Sequence, residues 1–249
     1  MVWTPLVDAG ISQAEELVGE AGTVRLLPTA ARPGDLPVAL SSFVGREREL
    51  GELREALAGT RLLTLTGAGG CGKTRLALRA ASELADRFPD GVWWVELAPI
   101  RDERLVGAAV AEALGVRPLP GMTELHAACA YLASRRAAVV LDNCEHLPWA
   151  CARAAEALLQ AGAGVAVLAT SRAPLGVAGE TNWRVPSLSL PRVDGSGGLA
   201  GSDAVALFVD RALKVRSDFA LRRVSELLCV RPGRLGSCVS RAVGLRSGS

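Results

Sequence analysis

Aromatic residues make up only 4% of this chain, and just two histidines, His126 and His146, are present. A metal centre built mainly from imidazoles and an aromatic platform for stacking bases are both excluded. Excess charge of one sign is also lacking: 28 Lys and Arg against 26 Asp and Glu leave a net charge of +2, too balanced for an extended nucleic-acid surface. The six cysteines, Cys71, Cys129, Cys144, Cys151, Cys229 and Cys238, have no C-x-x-C spacing and read as reduced, structural thiols. The N-terminus holds Asp8, Glu15, Glu16 and Glu20 where a secretory signal would need basic residues and an apolar core. No apolar run approaches the roughly 20 residues that span a bilayer. A soluble cytoplasmic protein without membrane contact is expected.

What is present is apolar filling: 49% of 249 residues are hydrophobic, enough for one large α/β domain or for such a domain plus a small second one. Residues 1–39 read as a leader or linker, with a weak helical signal from Ser12 to Gly19 and then Pro28, Pro33, Gly34 and Pro37. From residue 40 to about 190, helical and strand patterns alternate. Leu50, Leu53 and Leu57 mark a helix; Arg61 to Thr66, Val92 to Leu97, Ala137 to Leu141 and Val165 to Ala169 mark strands. Between them lie helix faces at Leu76, Ala80 and Leu84, at Val106 and Val110, at Leu125 and Leu132, and at Cys151 and Leu158. The strand runs are continuously apolar, the signature of a parallel sheet covered on both faces, so a three-layer α/β domain is predicted. Residues 191–221 comprise a Pro/Gly/Ser-rich linker and the start of a helical unit, with Ser202 as N-cap. Residues 222–249 hold six arginines and no sustained period.

One motif is far more specific than the rest. Gly67, Ala68, Gly69, Gly70, Cys71, Gly72, Lys73 and Thr74 match G-x-x-x-x-G-K-[ST] between a strand and a helix, the setting in which backbone N–H groups and a helix N-terminus cradle phosphates. Lys73 would reach the β and γ phosphates as a point charge, and Thr74 would ligate Mg²⁺. Arg75 completes the loop's flank. Cys71 occupies a position where backbone matters more than side chain and reads as a small apolar filler. Asp142, ending a buried strand, is the natural Mg²⁺ partner of Thr74; the competing reading is a carboxylate capping the next turn. Asn143 stands where active P-loop ATPases often carry a second acid. Glu145 and His146 are then the nearby groups that could orient water, Glu145 being the better candidate. Arg172, at the end of the next strand, is either a sensor of the γ phosphate or an exposed loop arginine.

Four blocks in this order, Phe43 to Glu47, Gly67 to Thr74, Val140 to Leu147 and Ala169 to Gly176 with Gly179 and Glu180, closely resemble the NB-ARC-like P-loop ATPases of the STAND class. The nearest forms are those attached to LuxR-type or SARP-type DNA-binding domains in bacterial transcriptional regulators. The resemblance covers about residues 36–220. It implies a nucleotide switch, with ADP held in the resting state and ATP favouring an open form that self-associates. It further implies that Val44, Gly45 and Arg46 line the adenine and ribose side and that Arg172 is the sensor. Past Phe219, Ala220 and Leu221 the family continues into a Gly-Leu-Pro-Leu-like motif that this sequence lacks. A truncation or frame change is expected there, and no direct DNA contact is expected from this chain. The alternatives are a work-performing AAA+-type ATPase, against which Asn143 argues, and a fragment unable to close on nucleotide.

Overall fold

The computed structural model describes residues 16–19, 22–26, 36–39, 41–190 and 202–216. The linker at 191–200, the Phe219 to Leu221 segment and the arginine-rich tail lie outside them.

Five strands form one parallel sheet: β3 (Leu62–Thr66), β4 (Gly91–Glu96), β6 (Ala137–Asp142), β7 (Val165–Ser171) and β8 (Thr181–Arg184), in the order β4-β6-β7-β3-β8. Each strand is parallel to its neighbours. Every residue of β3, β6 and β7 is buried, which is why their sequences run apolar without alternation. On one face lies α2 (Lys73–Leu84), packing Leu76, Ala77, Ala80 and Leu84 inward against β3, β4, β6 and β7. On the other lie α3 (Val106–Leu114), α4 (Glu124–Leu132) and α5 (Pro148–Ala161), whose cluster with Trp93, Val95, Val139, Leu141 and Val167 is the main core. The predicted three-layer α/β architecture is therefore present.

Local chemistry sets the element ends. Thr123 caps α4 by accepting from the His126 N–H at 3.3 Å, Pro148 occupies the first turn of α5, and Gly115 ends α3 in the left-handed region. Where α4 and α5 end side by side, a Cβ on Gly162 would sit 2.6 Å from the Ala133 carbonyl oxygen, so only glycine fits that backbone approach. Helix α1 (Glu47–Gly59) buries Leu50, Leu53 and Leu57. Its exposed Arg54 donates to Glu83 of α2 at 2.6 Å, and Arg87 donates to the Leu57 carbonyl.

The helical signal at Ser12 to Gly19 is corrected. Glu16–Gly19 is a strand, β1, antiparallel to β2 (Gly22–Leu26), which pairs in turn with the short β5 (Val116–Arg117). Gly19 and Gly22 disfavour helix, while Val18, Thr23 and Val24 favour a ladder once partners are supplied.

The chain divides into two compact units. One comprises residues 1–38 and 48–186; the other comprises 39–47 and 187 onward, so the Val44-Gly45-Arg46 segment groups with the second unit. In that unit α6 (Asp203–Val215) is capped by Ser202, whose hydroxyl accepts from the Val205 N–H at 3.4 Å. Ser42 donates to Asp210 at 2.7 Å and accepts from Lys214 at 2.8 Å. A Cβ on Gly45 would run into the Asp203 carboxylate. Arg46 is buried at φ 69°, an uncommon backbone setting for an arginine. Among the described residues no helix is long and apolar enough to cross a membrane.

Candidate functional site

The candidate site lies at the carboxyl edge of the parallel sheet, where β3, β6 and β7 end. Register places Thr66 beside Ser171 and Leu141 beside Ala169, so Asp142 and Thr170 emerge together. After Thr66 the chain passes through Gly67 to Gly72 before α2 begins at Lys73. Gly72 has φ 92°, which strains any residue with a Cβ by about 1 kcal/mol or more. At Gly67 a φ of 154° is joined by tight space: a Cβ would lie 3.0 Å from the Cys71 sulfur and 3.4 Å from the Val185 carbonyl oxygen. Cys71 thus packs beneath the start of the loop, and its N–H donates to the Ala68 carbonyl at 3.3 Å. Ala68, Gly69 and Gly70 are exposed.

Lys73 is 7% exposed, and its ammonium donates to the carbonyls of Gly67 at 3.0 Å and Ala68 at 3.2 Å. The charge is held against the loop's own backbone, at the N-terminal, positive end of α2. Thr74 follows on the first turn. Its hydroxyl donates to Asp142 Oδ1 at 2.9 Å, joining the start of α2 to the end of β6. Arg75 is half-buried on the same turn.

Asp142 is almost fully buried, and burial raises its carboxyl above the usual range. Hydrogen bonds from Thr170 and Thr74 and the charge of Lys73 oppose that rise, while Glu145 adds to it. Thr170 donates to the same Oδ1 at 2.6 Å and accepts from the Asn143 N–H at 2.8 Å. Sequence reasoning passed over Thr170; the signal available was a hydroxyl residue near the end of an otherwise apolar buried strand.

Asn143 adopts φ 68°, a left-handed conformation that asparagine tolerates better than most residues, and it opens the turn Cys144–His146. His146 is tied down by structure: Nε2 lies 2.8 Å from the Ile100 carbonyl oxygen and Nδ1 lies 3.4 Å from the Asn143 amide nitrogen. Cys144 and Cys151 are both fully buried, and the neighbouring Cys151 together with burial pushes the Cys144 thiol well up, away from reactivity. Glu145 sits beside Arg172, whose Nε donates to Glu145 Oε1 at 3.3 Å. Arg172 also faces the loop: its Nη2 lies 3.9 Å from where a Cβ on Gly69 would be.

The structure therefore brings Lys73, Thr74, Asp142, Glu145 and Arg172 to one edge, around the glycine loop. Val44, Gly45 and Arg46 belong to the other compact unit.

A glycine loop between a central parallel strand and a helix, with a threonine of that helix bonded to an aspartate ending a neighbouring strand, defines a P-loop α/β domain. No family model matches the chain. It is 42% identical over 182 residues to the uncharacterized protein Rv0894 of Mycobacterium tuberculosis, covering 73% of this chain and 44% of that protein. It is 44% identical over 169 residues to Rv0890c of the same organism, provisionally named an HTH-type transcriptional regulator, covering 68% of this chain and 18% of that protein. The regulatory protein AfsR of Streptomyces coelicolor is 33% identical over 183 residues, 65% of this chain and 18% of AfsR. The chain thus spans less than half the length of these relatives. Among solved structures, a STAND protein with a tetratricopeptide repeat sensor from Pyrococcus horikoshii aligns with a TM-score of 0.44 at 17% identity, over 84% of this chain and 33% of that one.

Proposed function

We propose that this chain carries the nucleotide switch of a bacterial transcriptional regulator, binding ADP or ATP with Mg²⁺ and hydrolysing ATP slowly. The observation that carries the reading is the Thr74 to Asp142 hydrogen bond beside the glycine loop, with the Lys73 ammonium held at that loop. Residues Gly67 to Thr74 fit a polyphosphate: the loop is exposed at Ala68 to Gly70, and α2 offers its positive end there. Thr74 and Asp142 would hold Mg²⁺, an ion that takes one or two protein oxygens and keeps water and phosphate for the rest. Bound Mg²⁺ supplies charge neutralisation at the terminal phosphates. Arg172 would meet the γ phosphate. Slow turnover is supported by the surroundings of the candidate bases: His146 faces the Ile100 carbonyl, and Glu145 accepts from Arg172.

Similarity to regulators over part of their length supports the regulatory setting. In that setting the chain resides in the cytoplasm, leaves DNA contact to other domains, and self-associates in its ATP form.

The test is titration calorimetry with ADP and ATP on the wild type and on Lys73→Ala. Loss of a charge-assisted contact of about 1.5–3 kcal/mol predicts roughly ten- to a hundredfold weaker binding of both nucleotides. Equal affinity in the variant would overturn the assignment.

A further inference from the structure

The geometry points to Glu145 as a positioning residue for Arg172, one that sets how strongly the site distinguishes a nucleoside triphosphate from a diphosphate. This rests on the nucleotide-binding reading above. The carboxylate is the fixed partner of the pair: its side chain is 15% exposed, against 70% for Arg172. The turn that carries it is held at both sides, by the Asn143 N–H donating to Thr170 before it and by the His146 contact with Ile100 after it. Leu147 closes the turn by donating to the Cys144 carbonyl at 3.1 Å. Arg172, by contrast, directly follows the last residue of β7, with most of its side chain in solvent.

A guanidinium presents five N–H donors in a planar fork. Here the Nε edge is taken by Glu145 Oε1, and Nη2 is the nitrogen that faces Gly69. Holding a long side chain by its Nε fixes the plane of the fork and leaves the Nη edge turned to the loop, the edge suited to a phosphate. Without Glu145, Arg172 would have to give up rotamer freedom on binding, which weakens the contact that only a third phosphate can make. Glu145 Oε2 is buried without a hydrogen-bond partner among the described residues, which leaves Oε1 as the oxygen that meets Arg172.

The readout is the ratio of ATP to ADP affinity, measured by calorimetry with Mg²⁺ on the whole chain as wild type, Arg172→Ala, Glu145→Ala, Glu145→Gln and the double variant Glu145→Ala/Arg172→Ala. Arg172→Ala is expected to lower the ratio about tenfold, the scale of one charge-assisted hydrogen bond, and Glu145→Ala about threefold to tenfold. The double variant should match Arg172→Ala alone, because the two residues act as one unit. Glu145→Gln keeps an acceptor for Nε and should hold the ratio within about twofold of wild type. ADP affinity serves as the internal check: if it stays near wild type, the variants are folded and the loop is intact. A wild type that binds neither nucleotide defeats the functional reading itself. Normal binding with an unchanged ratio in Glu145→Ala, or additive losses in the double variant, defeats only the role given to Glu145. So does a Glu145→Gln variant whose ratio falls as far as that of Glu145→Ala, since an acceptor for Nε would then not be what matters.

Discussion

At the level of single residues, Thr170 ties the candidate site together. One hydroxyl satisfies a buried group and a partly buried one at once: it donates to Asp142 Oδ1 and accepts from the Asn143 N–H. Thr170→Val keeps the shape and removes both bonds, leaving a partly buried backbone donor without an acceptor and Asp142 Oδ1 with Thr74 alone. A loss of about 1–3 kcal/mol of stability is expected in urea unfolding. The Asp142 carboxyl, already raised by burial, loses one of the contacts that lower it and moves further up. The proposed Mg²⁺-dependent part of ADP affinity should therefore weaken in this variant more than the Mg²⁺-independent part. Wild-type stability together with wild-type Mg²⁺ dependence would show the hydroxyl to be a bystander.

At the level of elements, the clasp between α1 and α2 gives a pH-dependent signature. Glu83 accepts from Arg54 at 2.6 Å and pairs with Arg79 at 3.3 Å. The Arg54 hydrogen bond lowers its carboxyl from the ordinary 4.5, against a smaller opposing effect of burial. A lowered folded-state value means that the unfolded chain binds the proton more tightly. The clasp's contribution is then full above pH 4.5 and is lost as pH falls through the lowered value. Because the arginine partners are mostly exposed, that contribution is under about 1 kcal/mol. Unfolding of wild type and Glu83→Gln followed from about pH 7 down to about pH 3 should show a small gap that closes on acidification. A gap that widens instead would have the sign wrong.

The elements also differ in how readable they were. β3, β4, β6 and β7 were legible because parallel strands covered on both faces need unbroken apolar runs, and α1 to α6 because their apolar stripes recur at helical spacing. β8 carried no such signal: Thr181, Asn182 and Arg184 are exposed on an edge strand, where no burial constrains the sequence. β1 and β2 failed for a different reason: β1 pairs with β2 close by, but the other edge of β2 is filled by Arg117 and Val116, far along the chain, so the short local pattern alone does not announce the three-stranded sheet. In the site, the residues within the glycine motif were legible because backbone approach demands particular types. Thr170 and the Glu145 to Arg172 pairing were not, since both depend on which strands end side by side.

For the whole molecule, the two compact units differ in what holds them. The α/β unit buries every residue of β6 and β7 in a continuous core. Among the described residues of the second unit, only Arg46, Ser202 and Val205 are buried, and the clasp of Ser42 with Asp210, Arg211 and Lys214 is exposed. A solvated polar clasp costs little to open, so α6 should exchange its amide hydrogens through local opening while β6 and β7 exchange only on global unfolding. Ser42→Ala removes a net contribution of about 1 kcal/mol and should speed exchange in the second half of α6 roughly fivefold. Hydrogen exchange read by mass spectrometry on peptides from both units tests this directly. Exchange of α6 in the same cooperative step as β6 would mean that the two units unfold as one, and the proposed ADP and ATP forms could not then differ by moving one unit alone.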